Sequence, residues 1–416
     1  MVYSMGKKGG THRKKEKERV LWIDGLRGIA CLAIFAHHFG CCFYPVTQAG
    51  PESDWATPLS VALAQSPLGV LLNGNFWVCV FCVIAGFVAA RSHFSPPEQD
   101  ALSLRRFSGQ LLNRYFRMVL PVFWVSLAVL VMVKLHLFTN RAFFERYYIY
   151  WAALTYAEDF YTFPSLILET FVKLCFVGTE KYVMVLWSIR LLFYGYFVSI
   201  LLAQMSWGRN RRILWVYLLL ALGGLLCGLD LCMMGCFPVG TMLAWWTVYG
   251  KERPATALKS CASALLILGG LVLGGYPTFF EPTNFYRYLN LPGVEDVLGI
   301  WHVLGASMLM TGLCLSPRLQ KLLSCRPLQW LGKISFSLYL VHVPVLLSIG
   351  TGVAVLLSDW GIKSFHLMSA ISAVVTLLAT LLVSALFQRF VEAPCARLSR
   401  RLLSLLEAKE EASVLS

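Results

Sequence analysis

Asp24-Gly25-Leu26-Arg27-Gly28-Ile29-Ala30, running on to His37-His38, sets an arginine and two histidines inside the first long apolar run of the chain. A helix turns once per 3.6 residues, so eleven positions close about three turns. Arg27 and His38 then share one face, roughly 16 Å apart along the axis, and His37 falls about 100° round from it. If the helix starts near Leu21 and crosses a bilayer, Arg27 lies a turn or two inside one surface and His38 lies past the midplane. Ionisable groups at such depths are costly and mark functional sites.

The composition supports the bilayer. Of 416 residues, 57% are hydrophobic and 14% are charged, against about 25% charged in a soluble domain. Mean hydropathy is +0.65. The fold class is therefore all-α, a polytopic membrane protein. A net charge of +14 raises nucleic acid as a partner, but the basic residues are scattered through short loops between apolar runs. That is the pattern of membrane orientation, so we expect a lipid bilayer and no nucleic acid. Of the thirteen cysteines, Cys31, Cys79, Cys82, Cys227, Cys261 and Cys314 sit in apolar runs as small hydrophobes. Cys79 and Cys82 have C-x-x-C spacing without a second pair at zinc-site spacing, so helix packing is expected and no metal. Cys41 and Cys42 leave a disulfide open. The basic start lacks a small-residue cleavage pattern, and no cleavable signal peptide is expected.

Ten apolar segments are long enough to read as spans: 20–43, 68–90, 116–137, 182–203, 213–228, 231–249, 258–275, 297–315, 334–357 and 367–387. With the N-terminus inside, Arg91, Arg114, Arg209, Arg211, Arg212, Lys251, Arg318, Lys321, Arg326, Arg397 and Arg400 all fall on the cytoplasmic side. The opposite short loops are poor in Lys and Arg, and an odd number of spans would break the alternation. We therefore expect both termini in the cytoplasm. Residues 1–19 form a basic disordered tail, 20–395 the membrane domain and 396–416 a cytoplasmic C-terminal tail. The mixed, aromatic segment 138–180 reads as interfacial or re-entrant, with an extra span from Tyr148 onward as the competing reading. No internal repeat is visible.

Later stretches complete a pattern. The second span carries Phe81-Cys82-Val83-Ile84-Ala85-Gly86-Phe87. Arg114-Tyr115-Phe116-Arg117 precedes Pro121 at the third. Gly332-Lys333-Ile334-Ser335-Phe336-Ser337-Leu338-Tyr339-Leu340-Val341-His342-Val343-Pro344 opens the ninth, and Val391-Glu392-Ala393-Pro394 closes the tenth. With the ten-residue gap between Arg27 and His38, these stretches resemble the acyltransferase 3 family of integral membrane acyltransferases, over nearly the whole chain from Ile23 to Arg401. The compact form and doubled histidine are similar to fungal members. Two positions depart from the family. Ala85 stands where serine is more usual. Leu192 stands five residues after Trp187, where a glutamate is usual, so another acid is needed; Glu169, Glu180 and Asp159 are the candidates.

The resemblance implies transfer of a short acyl group, acetyl above all, from acyl-CoA to a hydroxyl of a small lipophilic metabolite or glycan, in an endomembrane such as the endoplasmic reticulum. The residues support that chemistry in their own right. A hydroxyl attacking a thioester needs a base, and neutral imidazole suits neutral pH. The ten-residue spacing selects His38. His37 either packs or shares the work. Arg27 orients His38 through substrate, binds donor phosphates, or pairs with Asp24 one turn earlier. Arg114 and Arg117 lie on one helix face at the cytoplasmic edge, placed either for donor phosphates or as positive-inside anchors; Arg105 and Arg106 read as anchors. For His342 we expect hydrogen bonding between packed helices, and for His302 an interfacial place. Tyr339 and Tyr194 either donate to an oxyanion or pack. Ser335 and Ser337 read as packing, since no Gly-x-Ser-x-Gly elbow surrounds them. No Gly-rich phosphate loop is present. The rival functions are a transporter of small amphiphiles using Arg27 and His38 as its site, and a degenerate family member that has lost activity with the glutamate.

Overall fold

The structure is a computed structural model. It describes residues 20–45, 56–94, 104–153, 155–156, 161–205, 211–225, 229–250, 256–277, 282, 285–294 and 296–414. The expected basic tail 1–19 and the candidate acid Asp159 lie outside the described residues.

Among the described residues every regular element is helical. We number the principal helices α1 (Leu21–Phe43), α2 (Gly74–Arg91), α3 (Leu104–Lys134), α4 (Trp187–Met205), α5 (Ile213–Leu225), α6 (Cys236–Tyr249), α7 (Ala257–Gly274), α8 (Val297–Leu315), α9 (Arg326–Val345), α10 (Phe365–Phe387) and α11 (Ala393–Val414). Among the described residues eight helices are long and apolar enough to cross a membrane. The expected spans 213–228 and 231–249 are helical too, but shorter: α5 has 13 residues, and Leu229–Met234 is separate from α6. Polar side chains start several helices by accepting an N–H that has no intrahelical partner, as Asp296 does from Gly299 and Ser364 from Leu367.

α10 shows which solvent the fold was built for. Val374, Leu378, Leu382 and Leu386 face outward, while Ser369, Ser372, Thr376, Thr380 and Ser384 are buried against the other helices. Where the surroundings are lipid, apolar side chains gain nothing by turning inward, and small polar residues serve at helix contacts.

α1 and α9 form the central seam. Gly25 and Gly28 lie against the backbone around Leu323, Leu331 and Gly332; a Cβ on Gly28 would come within 2.7 Å of the Leu331 Cβ and 2.9 Å of the Gly332 nitrogen. Close backbone approach is what small residues permit at a membrane interface. Further along, Cys31 Sγ donates to the Ser335 carbonyl at 3.0 Å, and His38 meets His342. The pairs 28/332, 31/335 and 38/342 advance together, so the helices run parallel. α2 and α6 are also parallel, with Gly86 against Phe237 and Arg91 Nη1 donating to Thr247 Oγ1 at 3.2 Å.

The segment expected to be re-entrant breaks into short helices, Asn140–Tyr147, Tyr150–Ala152, Phe163–Ile167, Leu168–Lys173 and Leu174–Phe176. It turns at Gly178, whose φ of +95° favours glycine, and doubles back until Tyr182 hydroxyl donates to the Thr162 carbonyl at 2.8 Å. Arg190 Nη1 donates to the Val177 carbonyl at the tip, at 2.6 Å. Helix α11 runs through the expected boundary at 395/396, and Ser399 Oγ donates to Asn113 Oδ1 on α3 at 2.7 Å.

Candidate active site

Near the Gly28 end of the seam the helices part around a cavity of about 320 Å³. Its polar wall brings together Arg27 from α1, Arg114 and Arg117 from α3, Ser188 and Tyr196 from α4, Ser335 and Tyr339 from α9, and Glu392. Phe81, Ile84, Ala85 and Val88 of α2 line its apolar side with Leu192 of α4. Three of the five expected site residues thus meet in one place, although 87 positions separate Arg27 from Arg114 in sequence.

Each charge is held differently. Arg27 keeps its Asp24 partner, Nη1 to Oδ1 at 3.5 Å, with 35% of its side chain still exposed. Arg114 lays its guanidinium over the Tyr196 ring, 4.8 Å from the centroid, and Nη2 donates to the Leu192 carbonyl at 3.4 Å. Its Nε is buried and, among the described residues, has no hydrogen-bond partner. Arg117 is exposed. Glu392 Oε2 accepts from Ser337 Oγ at 2.5 Å. Three guanidinium groups thus stand against two carboxylates, Asp24 and Glu392, a formal excess of one positive charge around a mostly apolar space. A partly buried cation with an unused donor favours an anionic ligand.

Glu392 is the residue that sequence reasoning missed as a site residue. Its signal was present in Val391-Glu392-Ala393-Pro394, but nothing in the sequence links it to Arg27. It stands on a π turn, Gln388–Glu392, between α10 and α11; such turns recur at functional sites. Glu169 and Glu180, two of the acids considered in place of Leu192, go elsewhere. Glu169 accepts from Lys173 at 2.8 Å and Thr179 at 2.6 Å, bracing the hairpin, and Glu180 is exposed.

His38 does not line the cavity. It stands at the other end of the seam with His37 and His342. His38 Nδ1 meets the Ile34 carbonyl at 2.9 Å and His342 Nε2 at 3.1 Å. His342 is fully buried, its Nδ1 close to the Tyr339 and Leu338 carbonyls at 2.9 and 3.1 Å. The Trp151 ring lies 5.8 Å from His38. His37 turns away, with Nδ1 donating to the Leu72 carbonyl at 2.6 Å and its ring against Gly74; it ties α1 to the start of α2. Tyr339 joins the two ends. It lines the cavity, its ring is 6.0 Å from that of His342, and its hydroxyl donates to the Val185 carbonyl at 2.7 Å beside Ser188 Oγ.

The remaining candidates pack. Tyr194 hydroxyl donates to the Phe176 carbonyl at 3.3 Å. His302, expected at an interface, is instead fully buried beside Asn73, whose amide also donates to the Gly274 and Tyr276 carbonyls. Among the described residues no group of three or more His, Cys, Asp or Glu is placed to hold a metal.

The acyltransferase 3 family model, described as an acyltransferase domain, matches residues 20–389. Acyltransferase R4 of a Phoma species is 24% identical over an alignment covering 94% of this chain and 97% of its own. Acyltransferase clz18 of Cochliobolus lunatus is 25% identical over 41% of this chain and 39% of its own. No solved structure matches.

Proposed function

The chain belongs to the acyltransferase 3 family and is an integral membrane acyltransferase; from that premise we propose that it carries an acyl group, acetyl in the first instance, from acyl-CoA to a hydroxyl of a small lipophilic metabolite or glycan. The observation that supports this most is the Arg114 guanidinium, with its buried and unused Nε beside Arg27 and Arg117. Those donors suit the phosphates of coenzyme A. A cavity of about 320 Å³ is at the small end for ligand sites. It takes the pantetheine arm, with the thioester reaching past Tyr339 toward His38 and the nucleotide toward exposed Arg117.

His38 is the general base. Its imidazole takes the proton of the acceptor hydroxyl as that oxygen bonds to the thioester carbon. The tetrahedral adduct collapses, the carbon–sulfur bond breaks, and the proton on His38 returns to the thiolate. Transfer is direct, without a protein-bound acyl intermediate. Arg27 neutralises the donor, and His37 holds the helix rather than the reacting atoms. The arginine end lies toward the cytoplasm, where acyl-CoA is, with both termini on that side of an endoplasmic reticulum-type membrane. The parallel course of α1 and α9, and of α2 and α6, supports this topology, because parallel spans need an even number of crossings from one to the other. A role in fungal secondary metabolism goes with a small lipophilic acceptor.

The test uses purified protein in nanodiscs, acetyl-CoA labelled in the acetyl group, and a panel of lipophilic alcohols and glycosides. Labelled ester is expected from the wild type and at a rate about 10²–10⁴-fold lower from His38→Ala. Ester formation undiminished in His38→Ala removes His38 as the base, and no acetyl-CoA binding at all removes acyl-CoA as the donor.

A further inference from the structure

We propose that His38 and His342 form a catalytic pair, in which buried His342 is a positioning residue that fixes the tautomer of His38 and accepts a hydrogen bond from it as His38 takes up a proton. The inference rests on His38 being the base, as proposed above, and adds a partner from a helix 304 positions further along the chain.

The hydrogen-bond pattern leaves little choice of tautomer. A backbone carbonyl can only accept, so a ring nitrogen that bonds to one must carry the proton. His342 Nδ1 faces the Leu338 and Tyr339 carbonyls and is therefore N–H. In the neutral ring Nε2 is then a bare acceptor. His38 Nδ1 faces the Ile34 carbonyl, so it too is N–H, and this same nitrogen lies 3.1 Å from His342 Nε2. One proton, on His38 Nδ1, serves both acceptors as a three-centre bond. His38 Nε2 is left as the lone pair, available to an acceptor hydroxyl.

The pair works through the reaction without a proton of its own to lose. When His38 Nε2 takes the hydroxyl proton, the ring becomes an imidazolium and its Nδ1–H bond to His342 becomes charge-assisted and stronger. When Nε2 gives that proton to the leaving thiolate, the original bond returns. His342 thus does with a neutral imidazole what a carboxylate does for a catalytic histidine elsewhere, holding one tautomer and stabilising the charged ring. A neutral partner suits this depth, where an unpaired buried carboxylate is costly. The fold supports the placement. Cys31 to Ser335 and Gly28 against Gly332 fix the register of α1 on α9. The His38 ring is held between His37 and His342, each with its ring centroid 4.9 Å away.

The experiment compares His38→Ala, His342→Phe and His342→Gln in nanodiscs. Acetyl-CoA binding reports the fold and the donor site, and release of coenzyme A thiol at saturating acetyl-CoA reports kcat, with water or a lipophilic alcohol as acceptor. Phenylalanine fills the site and removes the acceptor; glutamine returns a carbonyl oxygen near the Nε2 position. We expect kcat to fall about 100-fold in His342→Phe, with KM for acetyl-CoA within two-fold, and His342→Gln to recover about ten-fold of that loss. A merely structural His342 would move KM and kcat together, or show no preference for glutamine, and either result overturns the pair. Wild-type kcat in both His342 variants, with His38→Ala slowed, overturns the pair and leaves the base standing. Full thiol release by His38→Ala overturns both.

Discussion

At one end of the α1–α9 seam Arg27 leaves a third of its side chain exposed, and Arg114 carries a buried nitrogen with no acceptor among the described residues. At the other, His342 is fully buried, and every hydrogen bond of the His38–His342 pair ends on a backbone carbonyl or on the partner ring. The first end is satisfied from outside, by a ligand; the second is satisfied from within. A group that waits for a ligand should govern affinity, and a group held rigidly in one protonation pattern should govern the chemical step. On the function proposed above, the seam divides binding from catalysis along about ten residues of one helix pair.

The sharpest way to break this division is to cross substitutions with readouts. His38→Ala should lower kcat by about 10²–10⁴-fold and leave acetyl-CoA binding unchanged. Arg114→Ala should do the reverse, raising KM for acetyl-CoA by about 10–100-fold, the size of one or two charge-assisted hydrogen bonds, with kcat at saturation little altered. Arg114→Lys should recover only part of that loss, because an ammonium can neither lie flat on Tyr196 nor present a planar fork. Steady-state kinetics on the three variants decide it. A kcat effect from Arg114 equal to that from His38 would mean that both ends act in the transition state.

The two ends were unequally legible in the sequence. Helical spacing set Arg27 and His38 on one face of α1, and the ten positions from Gly28 to His38 equal the ten from Gly332 to His342 on α9. What spacing does not convey is which helix each face meets. In lipid the outside of a helix is as apolar as its core, so amphipathicity gives little direction. Arg114 and Arg117 could be suspected as phosphate ligands because basic residues at a membrane edge are visible in one dimension. Glu392 could not, since its role depends on α11 returning to α3 through Ser399 and Asn113. His342 was expected as a packing histidine. Its packing partner is His38 itself, which no local pattern announces. The hairpin over 161–182 was legible only as a segment too polar and too short to cross.

Glycine packing at the seam carries the next effect. A Cβ on Gly28 would crowd Leu331 and the Gly332 backbone, and overpacking of this kind costs about 1–3 kcal/mol. Gly28→Ala should lower the thermal midpoint in detergent. By pushing α1 off α9 it should also weaken both ends at once, raising KM for acetyl-CoA and lowering kcat together. A variant that loses stability while keeping both constants would show that the two sites do not depend on a shared register.

The smallest expected effect concerns Glu392, the one acid in the cavity wall, and it tests whether the arginine end is really satisfied from outside. Glu392→Gln keeps an oxygen that can accept from Ser337 Oγ and removes one negative charge from the company of three arginines. If the carboxylate only competes with the donor, its loss strengthens anion binding. A weak charge–charge interaction of this kind is worth about 0.2–1 kcal/mol, as in exposed ion pairs, so KM for acetyl-CoA should fall by about 1.4- to five-fold with kcat unchanged. Leu192→Glu should act in the opposite sense. Its backbone carbonyl already meets Arg114, and a carboxylate on the same residue would occupy the guanidinium and raise KM by a similar factor. A rise in KM from Glu392→Gln would reverse this picture: Glu392 would then be the group that holds Arg27 and Arg117 in place, and the arginine end, like the histidine end, would be organised from within.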